Sequence, residues 1–233
     1  MAWRGLAWRG QAWPGMARFS STTPFSKERS VAKKQSATEE PEYEAPATMK
    51  PEIVLYHICG VTGLLQNNPI ELISNKSNDS LGTKRVYNDE EEAAIRLYPL
   101  PDGNFGLPSE AFLRAMVKAA AGKKIGKMFA TSALKGAVFA VEPHCIIEDA
   151  KCKPAKKHEI DRRPVVVGTA RVLRCRPVWK VWRTTLALDI DTAIVSPQTV
   201  LDCLCLAGRI VGVGDYRPEC GGGFGRFTAA IKK

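Results

Sequence analysis

The sequence lacks the apolar run that a membrane-spanning helix requires. No stretch of eighteen consecutive apolar residues occurs among its 233 residues, although 45% of them are hydrophobic. That hydrophobic share is enough to bury one substantial core. Acidic residues are fewer than basic ones, 24 against 34, so that the formal net charge is +10 and the sequence pI is near 9.3. A protein with this charge attracts polyanions such as nucleic acid, and it also attracts an acidic membrane surface.

Cysteine is present, but without the spacing of a disulfide framework or a zinc site. The seven cysteines are an odd number, which favours a reducing cytoplasm as the location. Cys203 and Cys205 are separated by a single residue, and the histidines and cysteines between residues 144 and 158 match no standard zinc pattern. We therefore predict no metal site and no cofactor.

Residues 1–49 differ in composition from the rest of the chain. They begin with the repeat AWRGL, AWRGQ, AWPGM and continue with a segment rich in Ser, Thr, Lys and Glu. Because too few apolar residues remain to offset the entropy of ordering, we predict a disordered, low-complexity tail over 1–49 and a single domain over 50–233. A mitochondrial transit peptide and an over-extended reading frame are the alternatives.

From Pro51 onward the pattern predicts an α+β domain. Strands are expected over Glu52–Cys59, within Ser132–Ile147, and over Pro164–Cys175, Val181–Ile190 and Phe227–Ile231; helices are expected from Pro108 to Gly122 and from Ser196 to Gly208. Turn signals between residues 60 and 106 predict a long irregular insertion. The order of elements predicts an RRM-like or ferredoxin-like split βαβ fold, with an antiparallel sheet and helices on one face. In this fold class the open face of the sheet reads single-stranded RNA.

Two segments of the chain carry a family resemblance. The first is GNFGLPSEAFLRAMVKAA at residues 103–120, and the second is AGRIVGVGDYRPECGGGFGRF at residues 207–227. Both resemble motifs of the RAMP superfamily, in particular of the RRM-like backbone subunits of multi-subunit CRISPR effectors. The first is similar to the family's Leu-Pro-Gly-small-small start of the first helix, with Ser109 and Glu110 in place of Gly-Ser. The second is similar to the glycine-rich loop that precedes the last strand. The resemblance runs from about Pro51 to the C-terminus and implies a protein that polymerises along guide RNA; a phage-encoded relative is the alternative.

The glycine-rich segment also suggests phosphate binding on physical grounds. Glycine permits positive φ and lets backbone amides approach a phosphate closely, and two arginines add charge nearby. No Gly-Lys-Ser/Thr follows, which excludes a P-loop, and the position after a helix excludes a dinucleotide fingerprint. The alternative is that these glycines only turn the chain. The candidates are Gly212, Gly214, Arg217, Gly221, Gly222, Gly223 and Arg226.

Basic residues cluster in three further places. One group crowds a strand connection, a second flanks a tryptophan suited to base stacking, and a third lies on the polar side of the first helix, where the family often has a guide-contacting basic residue. A solvated strand edge with core tryptophans, and a surface ion pair from Glu110 to Arg114, are the alternatives. These candidates are Lys156, Lys157, Arg162 and Arg163; Arg171, Arg174, Arg176 and Trp179; and Arg114 and Lys118.

The function expected from these features is binding of single-stranded nucleic acid without catalysis. RNA is favoured over DNA, and the protein is expected to coat it as a head-to-tail filament in the cytoplasm, with other effector subunits as further partners and no membrane association. One alternative is a metal-independent guide-processing ribonuclease, for which His57 is the residue considered. Asp79 is considered because other RAMP relatives cut target RNA with a loop aspartate. The other alternative is a phage protein that binds or anneals single-stranded DNA. We assign no catalytic residue, because a single imidazole or carboxylate does not make a catalytic constellation.

Overall fold

The computed structural model describes residues 49–69, 88–167 and 169–232. The predicted tail, except for Met49, and Asp79 lie outside these residues. Within the described ranges, no helix is long and apolar enough to cross a membrane. In chain order the elements are β1 (Pro51–Gly60), β2 (Leu64–Leu65), α1 (Asp89–Ala94), β3 (Gly106–Pro108), α2 (Ser109–Ala119), β4 (Lys124–Ile125), β5 (Met128–Phe129), α3 (Ala130–Ala137), β6 (Val138–Ala140), β7 (His144–Ile146), β8 (Glu159–Val167), β9 (Ala170–Trp179), β10 (Arg183–Asp191), α4 (Pro197–Ile210) and β11 (Phe227–Ile231).

The main sheet has four strands in the order β11-β1-β10-β6, and every neighbouring pair is antiparallel. In β1 and β10 buried and more exposed residues alternate, which is the pattern of a sheet covered on one face. The fold is therefore α+β with antiparallel sheets, as the sequence predicted at this level.

Helices α2 and α4 pack against each other and cover one face of this sheet. Phe112 of α2 meets Phe227 of β11 edge to face, with ring centroids 5.4 Å apart. Helix α4 begins with Ser196, whose side chain accepts a hydrogen bond from the Thr199 amide, and with Pro197 in its first turn. Both signals were readable in the sequence.

A second sheet of order β2-β9-β8 is dominated by the long hairpin, which we define as β8 and β9, residues 159–179. Its β9 strand pairs with β2, and α1 packs against it. A two-stranded hairpin of β4 and β5 projects between α2 and α3. Residues 211–226, between α4 and β11, form the glycine-rich loop.

Three sequence predictions about the elements need correction. The strand expected within 132–147 starts only at Val138, because Ala133, Leu134 and Ala137 are buried at helical spacing in α3. The segment 164–175, predicted as one strand, belongs to the end of β8 and the start of β9, which pair antiparallel. Valines occur on both sides of the turn, so that strand propensity alone does not locate it. The insertion 60–106 contains β2 and α1, and the acidic stretch that starts at Asp89 is the helix, capped by Asn88.

Candidate nucleic-acid interface

The two motifs that carry the family resemblance meet at one cleft. A cavity of about 610 Å³ is lined by Arg114 and Lys118 of α2 and by Gly212, Gly214 and Arg217 of the glycine-rich loop. The lining residues of α2 and of the loop lie about a hundred positions apart in sequence and are brought together because α2 packs on α4, which leads into the loop. The cleft thus combines two groups of predicted site residues.

Every basic side chain on the wall of this cleft has an acidic partner. Arg114 pairs with Glu110 one helical turn earlier, with Nε and Oε1 3.0 Å apart, and both side chains are largely exposed. Lys118 pairs with Glu219. Arg217 also pairs with Glu219, with 3.2 Å between its Nη2 and the Glu219 Oε2. Its Nη1 donates a hydrogen bond of 3.1 Å to the Gly214 carbonyl oxygen. An exposed ion pair such as Arg114–Glu110 contributes about 0–1 kcal/mol, so that a phosphate can displace the Glu110 carboxylate at small cost. The Glu219 side chain is only 20% exposed.

Polar groups from outside the predicted set also line the cleft, among them Asn67 and Tyr98. Tyr98 donates a long hydrogen bond of 3.4 Å to the Asn67 carbonyl oxygen, and burial, followed by the negative charge of Asp215, raises the pKa of its phenol. The phenol therefore stays protonated at neutral pH and remains a hydrogen-bond donor.

The glycine-rich loop uses most of its backbone amides internally. Within the described residues, between Val211 and Arg226, only the amides of Gly214, Arg217 and Gly223 have no intramolecular acceptor. The loop is therefore not a row of free donors, and two of the three residues with unused amides, Gly214 and Arg217, line the cleft.

Most of its glycines are required by close packing of the chain on itself. Gly212, Gly214, Gly221 and Gly225 have positive φ. A Cβ at Gly222 would lie 1.8 Å from the Tyr216 carbonyl oxygen, whereas nothing lies within 4 Å of one at Gly221 or Gly223. The structural role that the sequence left open thus accounts for Gly222, and Gly221 and Gly223 are free to approach a ligand.

Four arginines of the long hairpin are tied to carboxylates. Arg162 pairs with Asp89 and Arg174 with Glu92, both acids of α1. Arg163 makes two hydrogen bonds of 2.6 Å to Asp161, and its guanidinium lies 5.0 and 4.8 Å from the ring centroids of Tyr216 and Phe224 in the glycine-rich loop. Arg176 lies 3.0 Å from Asp215, with 11% and 28% of the two side chains exposed. These contacts fix the long hairpin to α1 and to the loop.

Trp179 is 2% exposed and packs between Phe105 and His158. Its ring is not available to stack on a base, so the core alternative describes it and the base-stacking prediction does not. Burial lowers the pKa of the neighbouring His158, which stays neutral at pH 7.

The remaining candidates lie apart from the cleft. Lys156 donates to the Gly103 and Asn104 oxygens at 3.2 and 2.6 Å. Lys157 and Arg171 are exposed, and among the described residues neither has an ion pair. Arg226 is half-buried, and its backbone bonds to Thr62. His57 is half-buried on β1 beside Thr185.

Sequence reasoning missed the hairpin of β4 and β5. Its segment GKKIGKMF carries three lysines and an exposed phenylalanine. The available signal was charge patterning, since the chain has no acidic residue between Glu110 and Glu142.

No protein-family model and no curated protein matches the chain. Among solved structures, the chain is similar to the crystal structure of Cmr6 from Pyrococcus furiosus, with 13% sequence identity and a TM-score of 0.41 over 80% of this chain and 100% of that one. At this level of similarity neither family nor function is assigned, and function has to be argued from the residues of the chain itself.

Proposed function

We propose that the chain is a non-catalytic protein that binds single-stranded nucleic acid, RNA in preference to DNA, through phosphate contacts in the cleft between α2 and the glycine-rich loop. The observation that carries the proposal is the convergence of both family-like motifs on this cleft. A composition with a net charge of +10 supports a polyanionic ligand.

In the proposed complex, phosphate oxygens replace carboxylates as partners of the basic residues. Arg114 and Lys118 leave Glu110 and Glu219 and bind successive phosphates, and the unused Gly214 amide donates to one of them. Contacts of this kind position a strand without reading its sequence. We therefore expect affinity to depend strongly on salt and weakly on base composition.

The finer parts of the proposal are a ferredoxin-like palm and self-association of the RAMP type. The strand order β11-β1-β10-β6, with α2 following β1 and α4 following β10, supports the palm. The uncovered face of the sheet carries large apolar side chains with exposures of 64% at Ile53 and 56% at Phe139. Such a face suits contact with protein better than contact with phosphate, which supports a head-to-tail assembly along the ligand.

The test is binding of a fluorescein-labelled 20-nucleotide single-stranded RNA, and of the DNA of the same sequence, by fluorescence anisotropy at about 100 mM salt. The variant R114A/K118A should bind roughly tenfold more weakly, since charged hydrogen bonds contribute about 1.5–3 kcal/mol each and part of this is offset by the lost ion pairs. The control K50A/K232A removes the same charge from two exposed lysines outside the cleft.

Unchanged affinity of a folded R114A/K118A variant would exclude the cleft as the binding site. The non-catalytic part is tested with the same RNA: metal-independent cleavage that disappears in His57→Ala would overturn it. Equal affinities for RNA and DNA would contradict the proposed preference for RNA but not the proposed binding site.

A further inference from the structure

The hairpin formed by β4 and β5, residues 122–129, is exposed and carries three lysines, one of them in its turn. Lys123, Lys124 and Lys127 are all exposed, and only Ile125 in the hairpin is partly buried. Gly122 and Gly126 have φ values of +78° and +56°, and a Cβ at either position would have nothing within 4 Å. Gly122 follows the end of α2, and Gly126 lies in the turn of the hairpin. We call this segment the lysine hairpin.

Among the described residues, no acid neutralises the charge of the lysine hairpin. Within the described residues none of its three lysines forms an ion pair with an acid. The stretch between Glu110 and Glu142 contains basic residues and no acidic ones. Unpaired and fully hydrated lysines cost stability through mutual repulsion, and a bound polyanion removes that cost.

An aromatic ring lies beside this charge. Phe129 is 61% exposed and stands opposite Lys124 in the register of the two strands. The Lys124 Nζ lies 5.6 Å from the centroid of the ring. A basic side chain next to an exposed aromatic face is the combination with which proteins hold single-stranded nucleic acid, by phosphate contact and base stacking together.

The lysine hairpin is also linked to the proposed cleft. A second cavity of about 590 Å³ lies between α2 and α3 and is lined by Arg114, Lys118, Thr131 and Lys135. Arg114 and Lys118 line the first cavity as well. Because α3 starts directly after β5, the second cavity extends from the cleft toward the base of the hairpin.

We propose that the lysine hairpin is a second contact for the same nucleic-acid strand, with Lys123, Lys124 and Lys127 binding phosphates and Phe129 stacking on a base. The inference takes nucleic acid as the ligand from the proposed function, but it rests on residues that do not line the cleft. An anionic membrane is disfavoured by the order of the side chains: the two-residue turn holds Gly126 and Lys127, and Met128 and Phe129 lie behind it. Insertion into a bilayer requires apolar groups at the tip.

The experiment measures anisotropy of the labelled 20-nucleotide RNA from about 50 to 300 mM salt for wild type and K123A/K124A/K127A. Loss of three phosphate contacts should raise Kd roughly tenfold at 100 mM salt and lower the slope of log K against log [salt] by about 2. The control K50A/R209A/K232A removes three exposed charges elsewhere. The variant F129A should weaken binding several-fold without changing the salt slope.

The failure of this inference is distinguishable from failure of the proposed function. If R114A/K118A weakens binding and the folded K123A/K124A/K127A variant binds like its control, the hairpin contact is wrong and the cleft stands. If the hairpin variant loses affinity and the cleft variant does not, the hairpin stands alone and the cleft is wrong. Salt-sensitive co-sedimentation with phosphatidylserine/phosphatidylcholine vesicles that needs the three lysines, together with unchanged RNA affinity, would overturn the nucleic-acid assignment in favour of a membrane.

Discussion

The long hairpin and the lysine hairpin are both basic, and they differ in what surrounds the charge. In the long hairpin, Arg162 and Arg174 are paired with acids of α1, and Arg176 is paired with Asp215 and mostly buried. In the lysine hairpin, no described acid pairs with Lys123, Lys124 or Lys127. The paired arginines of the long hairpin thus serve folding, whereas the lysines of the lysine hairpin are free for a ligand.

This difference changes how a basic cluster should be weighed. The arginines of the long hairpin were the larger cluster in sequence, yet their guanidinium groups connect β8 and β9 to α1 and to the glycine-rich loop. Their removal should therefore reduce the free energy of unfolding more than it reduces binding. Removal of the free lysines should do the reverse.

The largest effect is expected inside the glycine-rich loop, where the chain packs on itself beside the contacts of the long hairpin. A Cβ at Gly225 would lie 1.7 Å from the Val213 carbonyl oxygen, and φ there is +68°. Gly225→Ala should lower the free energy of unfolding by about 3–5 kcal/mol, from backbone strain and overpacking together. Urea denaturation of the variant and the wild type measures this difference in the free energy of unfolding.

The matched control is Gly223→Ala in the same loop. Nothing lies within 4 Å of a Cβ there, so the change should stay within about 0.5 kcal/mol. Similar losses in both variants would mean that the loop is sensitive to any side chain, and that the packing at Gly225 is not the reason.

A smaller effect is expected from the ion pair between the long hairpin and the loop. Arg176→Ala leaves Asp215 without its partner in a site where the arginine is 11% exposed. Breaking a fully buried pair costs about 3–5 kcal/mol, so this partly exposed one should cost about 2–3 kcal/mol. Denaturant melts quantify the loss of stability.

Arg171→Ala serves as the comparison on the same strand. Arg171 is exposed and has no ion pair among the described residues, so its loss should change stability by less than about 0.5 kcal/mol. If Arg176→Ala were equally silent, the assignment of the long hairpin to folding would be wrong.

The sequence predicted the elements whose signals are local. The alternation that buries Leu186, Leu188 and Ile190 and the cap formed by Ser196 and Pro197 both lie within a few residues, and β10 and α4 are confirmed. The partners of the arginines were not predictable in this way. Asp89 and Arg162 are brought together only by packing of α1 on the second sheet.

In the candidate site, too, local features were predictable from the sequence and long-range packing was not. Glycine-rich composition was visible, but only the fold distinguishes Gly222, which packs on Tyr216, from Gly223, which is open. Trp179 lies between basic residues in the sequence, and this context is the same for a ring that stacks on a base and for a ring that packs in the core. Its burial against Phe105 depends on the loop before β3 and is not a local property.

The smallest effect would come from converting one paired arginine into a free one. Asp89→Asn removes the carboxylate that pairs with Arg162 while Asn still provides an oxygen for the Cys175 thiol, which lies 3.2 Å from the Asp89 Oδ1. If pairing, and not position, keeps this arginine from binding nucleic acid, the variant should bind the labelled RNA about two- to threefold more tightly, the size expected for one exposed ion pair. Glu90→Gln is the matched control, since it removes the same charge from the same helix, and Glu90 is exposed and has no ion pair among the described residues. An equal gain in both variants would indicate only the change in net charge, and no gain in either would mean that Arg162 lies out of reach of the strand.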